Sequence, residues 1–153
     1  MSTVVLKKLV KHENNGNCFK CKEIFDKYPG TTKSDELERW FFCLQFEVPD
    51  AHISEAGRNK ADQLKAFNKK ASRALWKQSA HNFKGAVDIF RLEKGRATWP
   101  EKWFNDNIKP KLTPELKWYG MPGSSFYELP HIELTDWKKY VIKGLLKPVE
   151  DTK

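Results

Sequence analysis

The stretch Ser79-Ala80-His81-Asn82-Phe83-Lys84-Gly85-Ala86-Val87-Asp88 constrains this chain more than any other. It sets a histidine and an aspartate seven positions apart. On one uninterrupted strand, residues at that spacing point to opposite faces. A turn must lie between them if both serve one site. Asn82 and Gly85 are residue types that permit it, and Gly85 is expected to take the positive φ. Residues 86–92 then read as a strand, with Val87 and Ile89 on one face and Ala86, Asp88 and Phe90 on the other. Asp88 is thus expected on a rigid strand and His81 on the loop feeding it. Histidine and carboxylate ligands suit zinc, which at catalytic sites takes three protein ligands and leaves a fourth position for water.

The third ligand has to come from elsewhere. His131 is the best candidate, in Phe126-Tyr127-Glu128-Leu129-Pro130-His131-Ile132-Glu133-Leu134. Pro130 keeps Leu129 extended, and the alternation after it reads as another strand. Ile132 and Leu134 are expected to face the core and His131 the other way. Glu128 stands at the strand entrance, where a carboxylate near a zinc-bound water has the makings of a general base. A lone histidine or aspartate in a strand is usually structural; two ordered motifs with internal spacing make these residues candidates.

These two stretches carry a family resemblance. The first resembles the Ser-x-His-x-x-Gly-x-Ala-x-Asp signature of zinc peptidoglycan peptidases. These are the D-alanyl-D-alanine carboxypeptidases and L-alanyl-D-glutamate endopeptidases, akin in structure to the hedgehog amino-terminal domain. The second resembles the family's Phe-x-(Asp/Glu)-x-Pro-His, familiar from phage and bacterial L-alanyl-D-glutamate peptidases. The resemblance spans roughly residues 53–134. It implies an α+β fold in which a small antiparallel sheet carries the zinc site and packs with helices. It implies zinc ligands at His81, Asp88 and His131, with Glu128 as the base. One position departs: where the family has its glycine this chain has Lys84, and Gly85 follows.

Further residues enter through the same likeness. Ile53-Ser54-Glu55-Ala56-Gly57-Arg58, with Gln63 after it, resembles a family strand whose arginine approaches substrate. A guanidinium offers a fixed donor fork to a carboxylate or carbonyl; a surface arginine closing a strand is the plain alternative. Ser79 is expected to hold the His81 loop by hydrogen bonding. Trp118-Tyr119-Gly120 matches an aromatic-plus-glycine strand beside the zinc. Trp118 and Tyr127 are candidate substrate contacts, although aromatic residues are more often core.

The rest of the chain reads as scaffold. With 153 residues it has the length of one domain. Residues 1–153 are taken as a single catalytic domain, with 1–50 a mainly helical scaffold and 51–147 the peptidase core. Residues 1–17 fit a strand or a helix, and end in an Asn-Asn-Gly-Asn turn. Cys21, Ile24, Phe25 and Tyr28 follow helical spacing. Ser34 is expected to cap a second helix bearing Leu37, Trp40, Phe41 and Leu44, stopped by Pro49. A short strand over 51–57 precedes a helix over 59–70. Pro100 opens a helix that Pro110 ends, residues 121–125 form a loop, Asp136 begins a last helix, and the tail from Pro148 is expected to fray.

Composition bounds the setting. The odd cysteine count, three, argues against a disulfide framework. His12, Cys18, Cys21 and Cys43 could form a structural zinc site, but a second ligand pair is missing, and free thiols are expected instead. No apolar run is long enough to cross a membrane, and the first residues lack a long apolar leader. The net charge of +8 fits a soluble basic surface or attraction to anionic wall or outer-membrane polymers. No nucleic-acid-binding pattern is present.

The expectation is therefore a monomeric zinc peptidoglycan hydrolase, an endolysin cleaving L-alanyl-D-glutamate. It would be held in the bacterial host's cytoplasm until release to the wall. A D-alanyl-D-alanine carboxypeptidase and a noncatalytic zinc-containing binding module are the alternatives.

Overall fold

The computed structural model describes residues 17–70, 72, 74–120 and 128–149. The residue 1–17 reading, save Asn17, the loop over 121–125 and Tyr127 lie outside the described residues, as do His12 and the side chain of Cys18. The fold is α+β. In chain order it runs α1 (Asn17–Asp26), α2 (Thr32–Glu47), β1 (Ala51–Glu55), α3 (Lys60–Asn68), a 3-10 turn (Ala80–Phe83), β2 (Ala86–Glu93) and β3 (Arg96–Thr98). There follow α4 (Glu101–Trp103), continued by a π turn and a 3-10 turn to Lys111, then β4 (Leu116–Trp118), β5 (His131–Leu134) and α5 (Trp137–Ile142). None of the described helices is long and apolar enough to cross a membrane.

All strand pairs are antiparallel, in the order β1-β2-β5-β4, with β3 also on β2. The central strand β2 alternates as its sequence dictates. Val87 and Ile89 are fully buried, and Ile53, Ile132 and Trp118 join them in the main core. Val87 pairs with Ile132, which pairs with Trp118, so one row of this face crosses three strands. Phe25, Leu37, Phe41 and Leu44 from α1 and α2 cover it, together with Trp103, Phe104 and Ile108. Each such fully buried side chain contributes about 1.5–3 kcal/mol. A smaller cluster gathers Ala80, Phe83, Ala86, Leu134, Trp137 and Leu146.

Several local expectations change. The cap of α2 is Thr31, with Ser34 at the third helical position in a capping box: Ser34 Oγ accepts from Thr31 N–H at 2.6 Å. Tyr28 is buried but lies past the end of α1. Pro110 sits inside the 3-10 turn rather than ending the helical run at its edge. The tail does not fray at Pro148: Val149 is buried and its N–H donates to Asn82 O at 2.7 Å. Gly120 answers a close approach, since a Cβ there would lie 2.3 Å from the Trp118 indole.

The turn between His81 and Asp88 is the largest correction. Lys84, not Gly85, takes the left-handed conformation, at φ 54° and ψ 34°. That conformation is uncommon for a residue with a side chain. The lysine's length explains its presence. Its side chain is buried, and Nζ donates to Phe25 O at 2.6 Å and Tyr28 O at 2.9 Å. These are carbonyls at and just beyond the end of α1, where backbone acceptors lack helical partners and a cation is favoured. Burial pushes the Lys84 amine down from its ordinary value. Lys84 thus ties the helical layer to the turn. Lys84→Met should therefore lower stability by about 1–3 kcal/mol, the cost of stranding buried hydrogen-bonding groups. Urea denaturation checks this, and an unchanged midpoint would contradict the tie.

Candidate metal centre

Antiparallel register assembles the site. Asp88 on β2 pairs with His131 on β5 and with Glu55 on β1. These residues form a row across three strands, on the sheet face opposite Val87 and Ile132. Glu55 reaches the row through an irregularity in β1 between Ile53 and Glu55. Such a bulge re-aims a side chain without breaking the sheet.

His81 arrives from the 3-10 turn. Ser79 Oγ accepts from His81 N–H at 3.2 Å and caps the turn. Asn82 is fully buried and braces it from inside. Its Oδ1 accepts from the N–H groups of Lys77 and Ser79, at 3.0 and 3.3 Å. Its Nδ2 donates to Arg58 O and to Gln63 Oε1, at 3.2 and 3.0 Å. Arg58 N–H in turn donates to His81 O at 2.9 Å.

The three candidate ligands converge. Asp88 Oδ1 lies 3.1 Å from His81 Nε2 and 3.3 Å from His131 Nδ1. One donor atom from each residue falls within 4.8 Å of the others, a grouping that could hold a metal ion. For ligand–zinc distances near 2.1 Å a tetrahedron has edges of about 3.4 Å, so the two short separations suit zinc. The ligand chemistry also fits, with two imidazoles and one carboxylate.

The electrostatics match that geometry. Burial opposes the charge on Asp88, but the two imidazoles outweigh it and hold the carboxyl far below the usual carboxylate range. Burial likewise opposes a charged His131. Asp88 and Glu133 override it and raise the imidazole to about 9.

Glu133 was missed by the sequence reading. Its Oε1 lies 2.8 Å from His131 Nε2, while Oε2 accepts from Tyr119 Oη and Trp137 Nε1, both at 3.1 Å. A carboxylate on the far nitrogen of a metal-binding histidine fixes the ring and raises its basicity. Burial, then the Glu133 charge, push the Tyr119 hydroxyl up to about 12. Strand period was the available signal, because Glu133 stands two residues from His131 on the same face. Glu55 had no such signal. It approaches His81 Nδ1 at 3.6 Å and takes an ion pair from Arg58 Nη2.

A cleft of about 730 Å³ opens over this face and is lined by Arg58, Ser79, His81, Tyr119, Glu128 and His131 among others. Glu128 is therefore in the cleft with two of the ligands, and burial raises its carboxyl above the ordinary value. Gln63 is not at the cleft wall. It is fully buried and positions Arg58, accepting from Nη1 at 3.0 Å. Trp118 is also elsewhere: it is buried in the main core, stacked on Phe104 at 6.2 Å between centroids. Its strand parity sends it to the core and leaves the next residue, Tyr119, for the cleft. Cys21 is buried and Cys43 exposed, and among the described residues neither belongs to a group that could hold a metal ion; the other two members of that candidate site, His12 and the Cys18 side chain, lie outside the described residues.

No protein-family model and no curated protein matches this sequence. A solved structure does match: the crystal structure of Serratia marcescens L-Ala D-Glu endopeptidase ChiX, with a TM-score of 0.58. Sequence identity is 19%, over 78% of this chain and 89% of that chain. At that identity the likeness is one of fold.

Proposed function

We propose that this chain is a zinc-dependent peptidoglycan hydrolase of endolysin type that cleaves the bond between L-alanine and D-glutamate in the stem peptide. The observation that carries the reading is the convergence of His81, Asp88 and His131 beneath a cleft that also holds Glu128. The fold likeness to a protein named as an L-Ala D-Glu endopeptidase supports it, as does the motif resemblance.

Zinc held by the three side chains would supply a Lewis acid and bring a bound water's pKa to about 7. The chain's residues supply the rest. Glu128 accepts the proton of the attacking water and returns it to the leaving amine nitrogen. Glu133 keeps His131 in register. Arg58 lines the cleft, but Glu55 and Gln63 already engage two of its nitrogens.

Protein purified without added zinc should carry one zinc per chain. His131→Ala should lose it, and Glu133→Gln should keep the site but bind about 10–100-fold more weakly. Metal analysis and competition with a chelator check both; full occupancy in His131→Ala would remove that residue from the ligand set.

Glu128→Gln should retain zinc and melting temperature while activity falls at least about a hundredfold. The base must be ionised, so wild-type kcat/KM should fall as pH drops through a value above the ordinary glutamate pKa of about 4.3. Near wild-type lysis by the glutamine variant would end this mechanism.

Mass spectrometry of digested peptidoglycan should show new D-glutamate amino termini and L-alanine left on muramic acid. Release of free D-alanine alone would reverse the choice of bond.

A further inference from the structure

We propose that the cleft contains an anion subsite, built from Lys117 and Lys138, that receives a free carboxylate of the substrate next to the scissile amide. This deepens the peptidase reading and rests on it.

Register places Lys117. It pairs with Glu133 across β4 and β5, and Glu133 is two residues from His131 on the same face. Lys117 therefore stands about 7 Å along the strand from the metal row, facing the same cleft. Its pairing partner does not neutralise it. Glu133 directs Oε1 to His131, and Oε2 to Tyr119 and Trp137.

Aromatic side chains orient the two lysines. Lys117 Nζ lies 5.0 Å from the centroid of the Tyr119 ring, and Lys138 Nζ lies 5.6 Å from that of Trp137. Both lysines and both rings line the cleft. A ring face attracts an ammonium while leaving donors free for a ligand. Among the described residues, neither lysine has a carboxylate oxygen within the 4.0 Å of an ion pair. The neighbouring cations do: Lys139 lies 4.0 Å from Asp136, and Arg58 pairs with Glu55.

The cleft is thus electrically divided. Asp88 and Glu128 stand at the ligand end, where a substrate carboxylate would be repelled, while Glu133, beside the lysines, has both oxygens engaged by His131, Tyr119 and Trp137. Lys117 stands one strand step away, and Lys138 sits over Trp137, whose indole bonds to the same Glu133 that Lys117 faces in register. A neutral peptide has no use for the two lysines, whereas an L-alanyl-D-glutamate bond has a partner for each end. Its D-glutamate gives the amide nitrogen and carries an α-carboxylate on the adjacent carbon.

The test uses zinc-loaded protein and two forms of N-acetyl-L-alanyl-γ-D-glutamyl-L-lysine. One has the glutamate α-carboxyl free, and the other has it as the carboxamide. Wild type should prefer the acid by roughly tenfold in kcat/KM, the worth of one charge-assisted contact. The double variant Lys117→Met, Lys138→Met should lose that preference through KM, with kcat for the amide and zinc content unchanged. Lys117→Arg, Lys138→Arg should keep it. Both lysines are exposed, so the variants should fold. An acid preference that survives the methionine pair, or its absence from wild type, overturns the subsite. If wild type cleaves neither peptide, the peptidase reading fails. Calorimetric binding of the same two peptides then reads the subsite alone, and equal affinities overturn it.

Discussion

The Asp88 carboxylate is the point on which the site depends. It is nearly enclosed, and an enclosed charge is costly unless paired and hydrogen-bonded. Two imidazoles supply that pairing through a single oxygen, Oδ1. The surrounding structure exists to bring them there. β2 holds Asp88 between β1 and β5, β5 delivers His131 directly opposite, and the braced 3-10 turn delivers His81. Glu55 and Glu133 add negative charge around the rings. A divalent cation among three carboxylates and two imidazoles would offset that charge, so the arrangement suits a metal better than an apolar core would.

The two faces of the sheet divide the labour. One face carries the apolar row Val87, Ile132 and Trp118 and is sealed by the helical layer. The other carries the polar row and opens to the cleft. Because the side-chain period is two, a slip of one residue in β5 would exchange His131 for Ile132 and destroy both faces together. Burial of the apolar row therefore fixes the position of the ligands.

Much of this was legible in the sequence. Spacing and alternation pointed to His81, Asp88, His131 and Glu128, and to the apolar stripes on α1 and α2. Other features depended on distant contacts or local irregularity. The bulge that brings in Glu55 leaves no mark in alternation. Lys84 stands in a left-handed turn usually given to glycine, and the reason lies in carbonyls 56 and 59 residues earlier in the chain. Trp118 was left between substrate contact and core, and strand parity was available to decide for the core. Gln63 has the right neighbour but acts through Arg58 from a buried position.

The bond from Val149 N–H to Asn82 O links the far end of the described chain to the turn bearing His81. That turn gains its last backbone partner only when residue 149 is in place. During synthesis the ligand set is therefore incompletely braced until nearly the whole described chain has left the ribosome. A protease clipping the chain before this residue would loosen the same brace without touching the cleft.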